Sequence, residues 1–154
     1  MSPLPIAIQA YRARLDRTFD LTASIGDLEL QANMTRHLCV LTSGFLEVAV
    51  TEVLAEYATM RANPLVQRYV RKNLDQFQNP KLQKIVDLVS RFDPAWGMVF
   101  SQRVTAQQKD AVDSIVANRH LIAHGRQVGI SLGNMREYYR GATQVVEVLA
   151  AVCR

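Results

Sequence analysis

The chain has 154 residues, 49% hydrophobic and 21% charged, with a net charge of +4. That is enough chain to bury one sizeable core, so a single domain over residues 1–154 is expected, and too small a charge imbalance to identify a nucleic-acid partner by itself. No uninterrupted apolar run approaches the roughly 18 residues of a membrane span, so no membrane partner is expected.

The N-terminal MSPLPIAIQAYRARLDR lacks the basic start and long apolar block of a secretory signal, which points to the cytoplasm. Arginine strongly outnumbers lysine, and its planar fork suits phosphate and carboxylate. The first helix is predicted from about Ile6 into the low twenties, with Ile8, Tyr11, Leu15, Phe19 and Thr22 on one face. Gly26 and Asp27 break it. The second and longest helix runs from about Leu28 to Met60, and its segment LCVLTSGFLEVAVTEVLAEY is apolar nearly all round, as the centre of a bundle or a subunit interface requires. Its Cys39 and the distant Cys153 sit in apolar surroundings and read as reduced, buried thiols.

From Asn63 to Phe100 the pattern shortens, and the Asn-Pro and Asp-Pro steps predict two or three short helices. Thr105 with Gln108 forms a capping-box signature that opens the next helix. Val112, Ile115, Val116, Ile122 and Ala123 make its apolar stripe, and Gly125 stands where a C-terminal glycine lets the chain leave. A last helix opens near Ser131 and runs to the end of the chain. No convincing strand is present, so the fold class is all-α.

The helix ending at Gly125 carries NRHLIAHG. Arg119 falls among the apolar positions and needs an anionic partner there. His124, five positions on, is rotated well away from Arg119 and raised roughly 7.5 Å along the axis. A site using both therefore calls for a bend at the helix end or for two copies of the helix brought together. In the second helix Glu47 lies with Ser43 and Thr51 in a narrow polar stripe, where a carboxylate is costly to bury unless paired.

Arg119, four residues and His124, within RHLIAH and followed by Gly125, resemble the arginine-histidine signature of the HEPN domain superfamily. SGFLEVAVTEVLAEYA resembles the second helix of the RiboL-PSP type, and FQNPKLQKIVDLVSRFDPAW with DSIVANRHLIAHG resembles its later half. Together these cover most of residues 40–140. The resemblance implies an up-and-down helical bundle with short additional helices between the second long helix and the motif helix. It also implies a homodimeric, metal-independent endoribonuclease of toxin or defence type that needs no cofactor.

In that reading Arg119 and His124 are catalytic. Histidine exchanges protons near neutral pH, and arginine stabilises the negative charge that gathers on phosphorus oxygens in the transition state. His120 stands where such signatures commonly carry asparagine, with Asn118 on the other side of Arg119. His120 either takes the positioning role of that asparagine or faces water. Glu47 either orients Arg119 or closes the cleft, or it is a buried ion-pair partner for a nearby arginine, Arg36 or Arg12 included. Arg126 is a candidate phosphate contact beyond the helix end. Arg136 and Arg140 with Tyr138 and Tyr139 either guide an RNA strand or meet solvent.

His120, His124 and Asp113 share a helix face in the manner of zinc ligands, but the glutamate of an HExxH motif is missing, so no metal is assigned. The alternative to an enzyme is a HEPN-like RNA-binding or dimerisation module within a defence complex. An antitoxin or a nucleotidyltransferase is a further partner that the resemblance allows.

Overall fold

Residues 3–154 are described by a computed structural model. They form seven helices in the order α1 (Ile6–Ala23), α2 (Leu28–Arg61), α3 (Pro64–Leu74), α4 (Leu82–Phe92), α5 (Pro94–Arg103), α6 (Ala106–Ala123) and α7 (Leu132–Val152), with no strand among the described residues. The fold is an all-α bundle in which α1, α2, α6 and α7 are the long members. The three short helices lie between the second long helix and the motif helix, where Asn-Pro and Asp-Pro divide the chain.

Local chemistry sets the boundaries. The Asp27 carboxylate accepts from Leu30 N at 2.8 Å and starts α2, and the Asn63 side chain accepts from Val66 N at 3.1 Å with Pro64 in the first turn of α3. Asp93 closes α4 and opens α5, accepting from Ala95 N at 2.8 Å. Thr105 and Gln108 form the reciprocal capping box expected at the start of α6. Each such cap satisfies amides that a helix N-terminus otherwise leaves unpaired, worth about 1 kcal/mol.

The core follows from the pattern of the long helices. On α1 the buried residues are Ile8, Leu15, Phe19 and Thr22, while Tyr11 is half-buried and donates from its hydroxyl to Leu41 O at 3.1 Å. Leu38, Phe45, Leu46, Ala49, Leu54 and their neighbours carry the burial around α2, which packs against α1, α3, α6 and α7. This central helix is, by length and composition, long and apolar enough to cross a membrane. Thr42, Ser43 and Gly44 interrupt the run without making the helix polar, and 61% of its most apolar 18 residues are buried inside the bundle.

Three contacts hold the motif helix. Its Asp113 carboxylate accepts from Leu82 N at 2.9 Å, fixing the start of α4 against α6. Gly141 of α7 meets Ala111 so closely that a Cβ added there would lie 2.6 Å from the Ala111 Cβ, so α6 and α7 approach through their smallest residues. Cys39 on α2 donates from Sγ to Ile115 O at 3.4 Å on the inner face of α6.

Candidate active site

The first part of α6 is a core helix and its last turn is not. Ala111, Val112, Ile115 and Val116 are buried, Asn118, Arg119 and Ile122 are half-buried, and His120, Leu121, Ala123 and His124 are exposed. Ala123, assigned to the apolar stripe by its spacing, is therefore at the surface. Periodicity continues to the end of a helix whether or not a neighbouring helix is still there to cover it. The polar groups of NRHLIAHG belong to the part of α6 that projects beyond the core.

How the helix stops determines where His124 sits. Gly125 takes the left-handed conformation at φ 71°, its N–H donates to Ile122 O at 3.0 Å, and Arg126 N donates to Leu121 O at 3.0 Å. This pair of bonds is a Schellman ending, with His124 as the last residue before the glycine. The two imidazoles, one turn apart, meet edge to face with ring centroids 4.4 Å apart and planes at 64°. His120 thus faces solvent and at the same time flanks the His124 ring.

Arg119 is not brought onto His124. Five residues of helix separate them by about 140° of rotation, and no hydrogen bond or ion pair links them among the described residues. The Arg119 guanidinium is half-buried and has no carboxylate partner among the described residues, although a charge in that position is stabilised by one. Arg126 is exposed and likewise makes no ion pair among the described residues. Both lie toward the carbonyl end of α6, which favours cationic side chains. Asn118 folds back along its own helix, its side-chain amide donating to Ser114 O at 2.8 Å.

Glu47 lies elsewhere. Its carboxylate accepts from Asn79 N at 3.3 Å, bracing the α3–α4 connection where Asn79 adopts φ 54°. The arginines considered as its partners are otherwise engaged, Arg12 with Glu147 at 3.2 Å and Arg36 with Asn33. Ser43, its neighbour one turn earlier, keeps a buried hydroxyl without a hydrogen-bond partner among the described residues. Asp113, which spacing placed on the face of His120 and His124, is committed to Leu82 N.

On α7, Arg136 pairs with Asp20 at 3.6 Å and lies over the Phe19 ring, Tyr139 stacks on Phe19 and donates to Asp16 at 2.8 Å, and Arg140 pairs with Glu137 at 2.7 Å. Burial and the Asp16 carboxylate push the Tyr139 hydroxyl well above the ordinary phenol value. Three of the four residues weighed as an RNA guide are thus occupied in joining α7 to α1 or to their own helix. Clefts open between α3 and α4, between α6 and α7, and beside Pro3 and Arg154, and no motif residue lines any of them.

A family model described as RiboL-PSP-HEPN matches residues 11–153. No curated protein and no solved structure matches the chain.

Proposed function

The chain belongs to the RiboL-PSP-HEPN family, whose functions are RNase-like or RNA-binding, and from this premise we propose that it is a metal-independent endoribonuclease acting as a homodimer. The observation that carries the reading is Arg119: a half-buried guanidinium without a carboxylate partner among the described residues, on the helix turn that ends in His124. Such a cation has its paired donors free for a phosphate oxygen.

In the proposed reaction the RNA 2′-hydroxyl attacks the adjacent phosphorus. One His124 imidazole takes the hydroxyl proton as the new P–O bond forms. Arg119 stabilises the negative charge on the phosphorane-like transition state, and a second histidine, starting as the imidazolium, gives its proton to the departing 5′-oxygen as the old P–O bond breaks. The products are a 2′,3′-cyclic phosphate and a 5′-hydroxyl; the proton lost by the 2′-hydroxyl is matched by the one gained by the 5′-oxygen, and proton exchange with solvent restores the two histidines. His120 flanks His124 and positions its ring, Asn118 stiffens the turn that carries Arg119, and Arg126 contacts the strand beyond the helix end.

Two features support a second copy as the source of the other half of the site. Arg119 and His124 point to different sides of one helix, and the motif stands on an exposed helix end rather than in a cleft that excludes water. Two such ends facing each other place an arginine and a histidine from each copy around one phosphate. Exposed Leu121 sits between the motif residues and provides apolar area for that contact. A toxin or defence role fits an enzyme of this kind.

The test is cleavage of a mixed RNA pool in the presence of chelator by the unaltered protein, Arg119→Ala and His124→Ala, each verified as folded and of equal mass in solution. Cutting by the unaltered protein alone, with cyclic-phosphate ends, is the expected result. Equal cutting by all three, or a strictly monomeric mass at active concentrations, refutes it. RNA binding without any cutting transfers the assignment to a binding module.

A further inference from the structure

The net positive charge of this protein is not at the motif. Residues 61–91 contain seven arginines and lysines and two aspartates, a net +5 that exceeds the +4 of the whole chain, so the remainder is slightly acidic. The same segment builds α3 and α4, and between them lies a cleft of about 550 Å³. Tyr69, Phe77 and Phe92 line it together with Lys84, Arg91 and Asn73. Tyr69 is 71% exposed, with no aromatic partner among the described residues, while Phe77 and Phe92 are half-buried at the edge of the core. Lys84 and Arg91 are exposed and make no ion pair among the described residues, the Lys84 ammonium donating to the Gln78 carbonyl at 2.5 Å. The one carboxylate in the lining, Asp87, accepts from Gln83 Nε2 at 2.9 Å.

Aromatic faces beside unpaired cations form the combination that binds single-stranded nucleic acid, bases stacking on the rings and phosphates meeting the charges. Building on the reading of this protein as RNA-directed, we infer that the α3–α4 cleft is a second contact for single-stranded RNA, separate from the Arg119–His124 helix end. A base stacks against Tyr69 above Phe77 and Phe92, and Lys84 and Arg91 hold the flanking phosphates. Lys72, one turn from Tyr69, and Arg68 extend the positive edge along α3. The charge excess selects RNA over an apolar protein segment as the occupant, because an uncharged helix gains nothing from it.

The cleft also has a fixed relation to the motif helix. Leu82 at the start of α4 is bonded to Asp113 of α6, about 16 Å before His124 along the α6 axis.

The experiment measures affinity of a fluorescein-labelled, single-stranded mixed-sequence RNA 12-mer for the full chain carrying His124→Ala, which leaves the RNA uncut. On that background Tyr69→Ala weakens binding about tenfold, as loss of one stacked base does, and Tyr69→Phe restores it. Lys84→Gln with Arg91→Gln lowers the slope of log affinity against log salt by about 1.4, the value for two phosphate contacts on a single strand. These side chains are at the surface, and circular dichroism verifies that each variant is folded.

Unchanged affinity in Tyr69→Ala and an unchanged salt slope in the double variant overturn the inference, as does a failure of the 12-mer to bind at all. Cleavage that depends on Arg119 and His124 while the cleft variants bind normally refutes this inference and leaves the proposed function standing. Cleft-dependent binding without any cleavage does the reverse.

Discussion

Replacing Gly125 with alanine perturbs the motif without touching a side chain. The glycine sits at φ 71°, and a Cβ added there meets no atom within 4 Å, so steric crowding by neighbours contributes nothing. The cost is then the left-handed backbone alone, about 1–2 kcal/mol for an L-residue with a Cβ. For a chain of this size that is a fall in melting temperature of roughly 3–6 °C. Gly125→Asn separates the cause, since asparagine tolerates this conformation better and is the usual substitute in such caps. Urea unfolding followed by circular dichroism gives the free-energy change, and hydrogen exchange at the Gly125 and Arg126 amides reports whether the two capping bonds are lost. The expected order of stability is Gly125, then Asn, then Ala, with faster exchange at those two amides in the alanine variant. Equal stability of all three, or an asparagine variant as weak as alanine, refutes the strain argument. If the helix ending positions His124, RNA cleavage by the alanine variant falls further than its remaining folded fraction accounts for.

Gly141→Ala is expected to force α6 and α7 apart, because its Cβ would lie 2.6 Å from that of Ala111; a loss of about 1–3 kcal/mol in denaturant unfolding, relieved by adding Ala111→Gly, checks this. The free thiols set a pH dependence. Burial raises Cys39 to about 11 and Cys153 to about 12 from an ordinary 9.0. Both thiols therefore stay protonated in the fold while the unfolded chain ionises. Their contribution is complete below the ordinary thiol value and is lost as pH rises from there through about 11 and 12. Thermal unfolding between pH 8 and 11, compared with Cys39→Ala plus Cys153→Ala, is expected to fall more steeply for the natural chain; parallel curves refute it.

Wherever a choice is made within a few residues of chain, the sequence alone determined the outcome. Thr105 with Gln108 announced the start of α6, Gly125 its end, Asn63-Pro64 and Asp93-Pro94 the breaks between short helices, and the all-round apolarity of residues 38–57 the central place of α2. These features depend on hydrogen bonds and dihedral angles closed locally, so they survive without knowledge of the partners. The arginine-histidine spacing was legible for the same reason, and with it the family.

Tertiary structure decided what each side chain meets. Glu47 was legible as a carboxylate in an apolar helix, but that it braces Asn79 instead of Arg119 depends on where the α3–α4 connection crosses α2. Arg136 and Tyr139 had the composition of an RNA guide, and only the approach of α1 commits them to Asp20, Asp16 and Phe19. Ala123 fits the apolar period of α6 but lies past the end of the core, because periodicity records a direction around the helix and not the presence of a neighbour. The charge excess in residues 61–91 could be counted from the sequence. Its juxtaposition with Tyr69, Phe77 and Phe92 appears only when two short helices fold against one another, since a cleft is a relation between surfaces that no single segment contains.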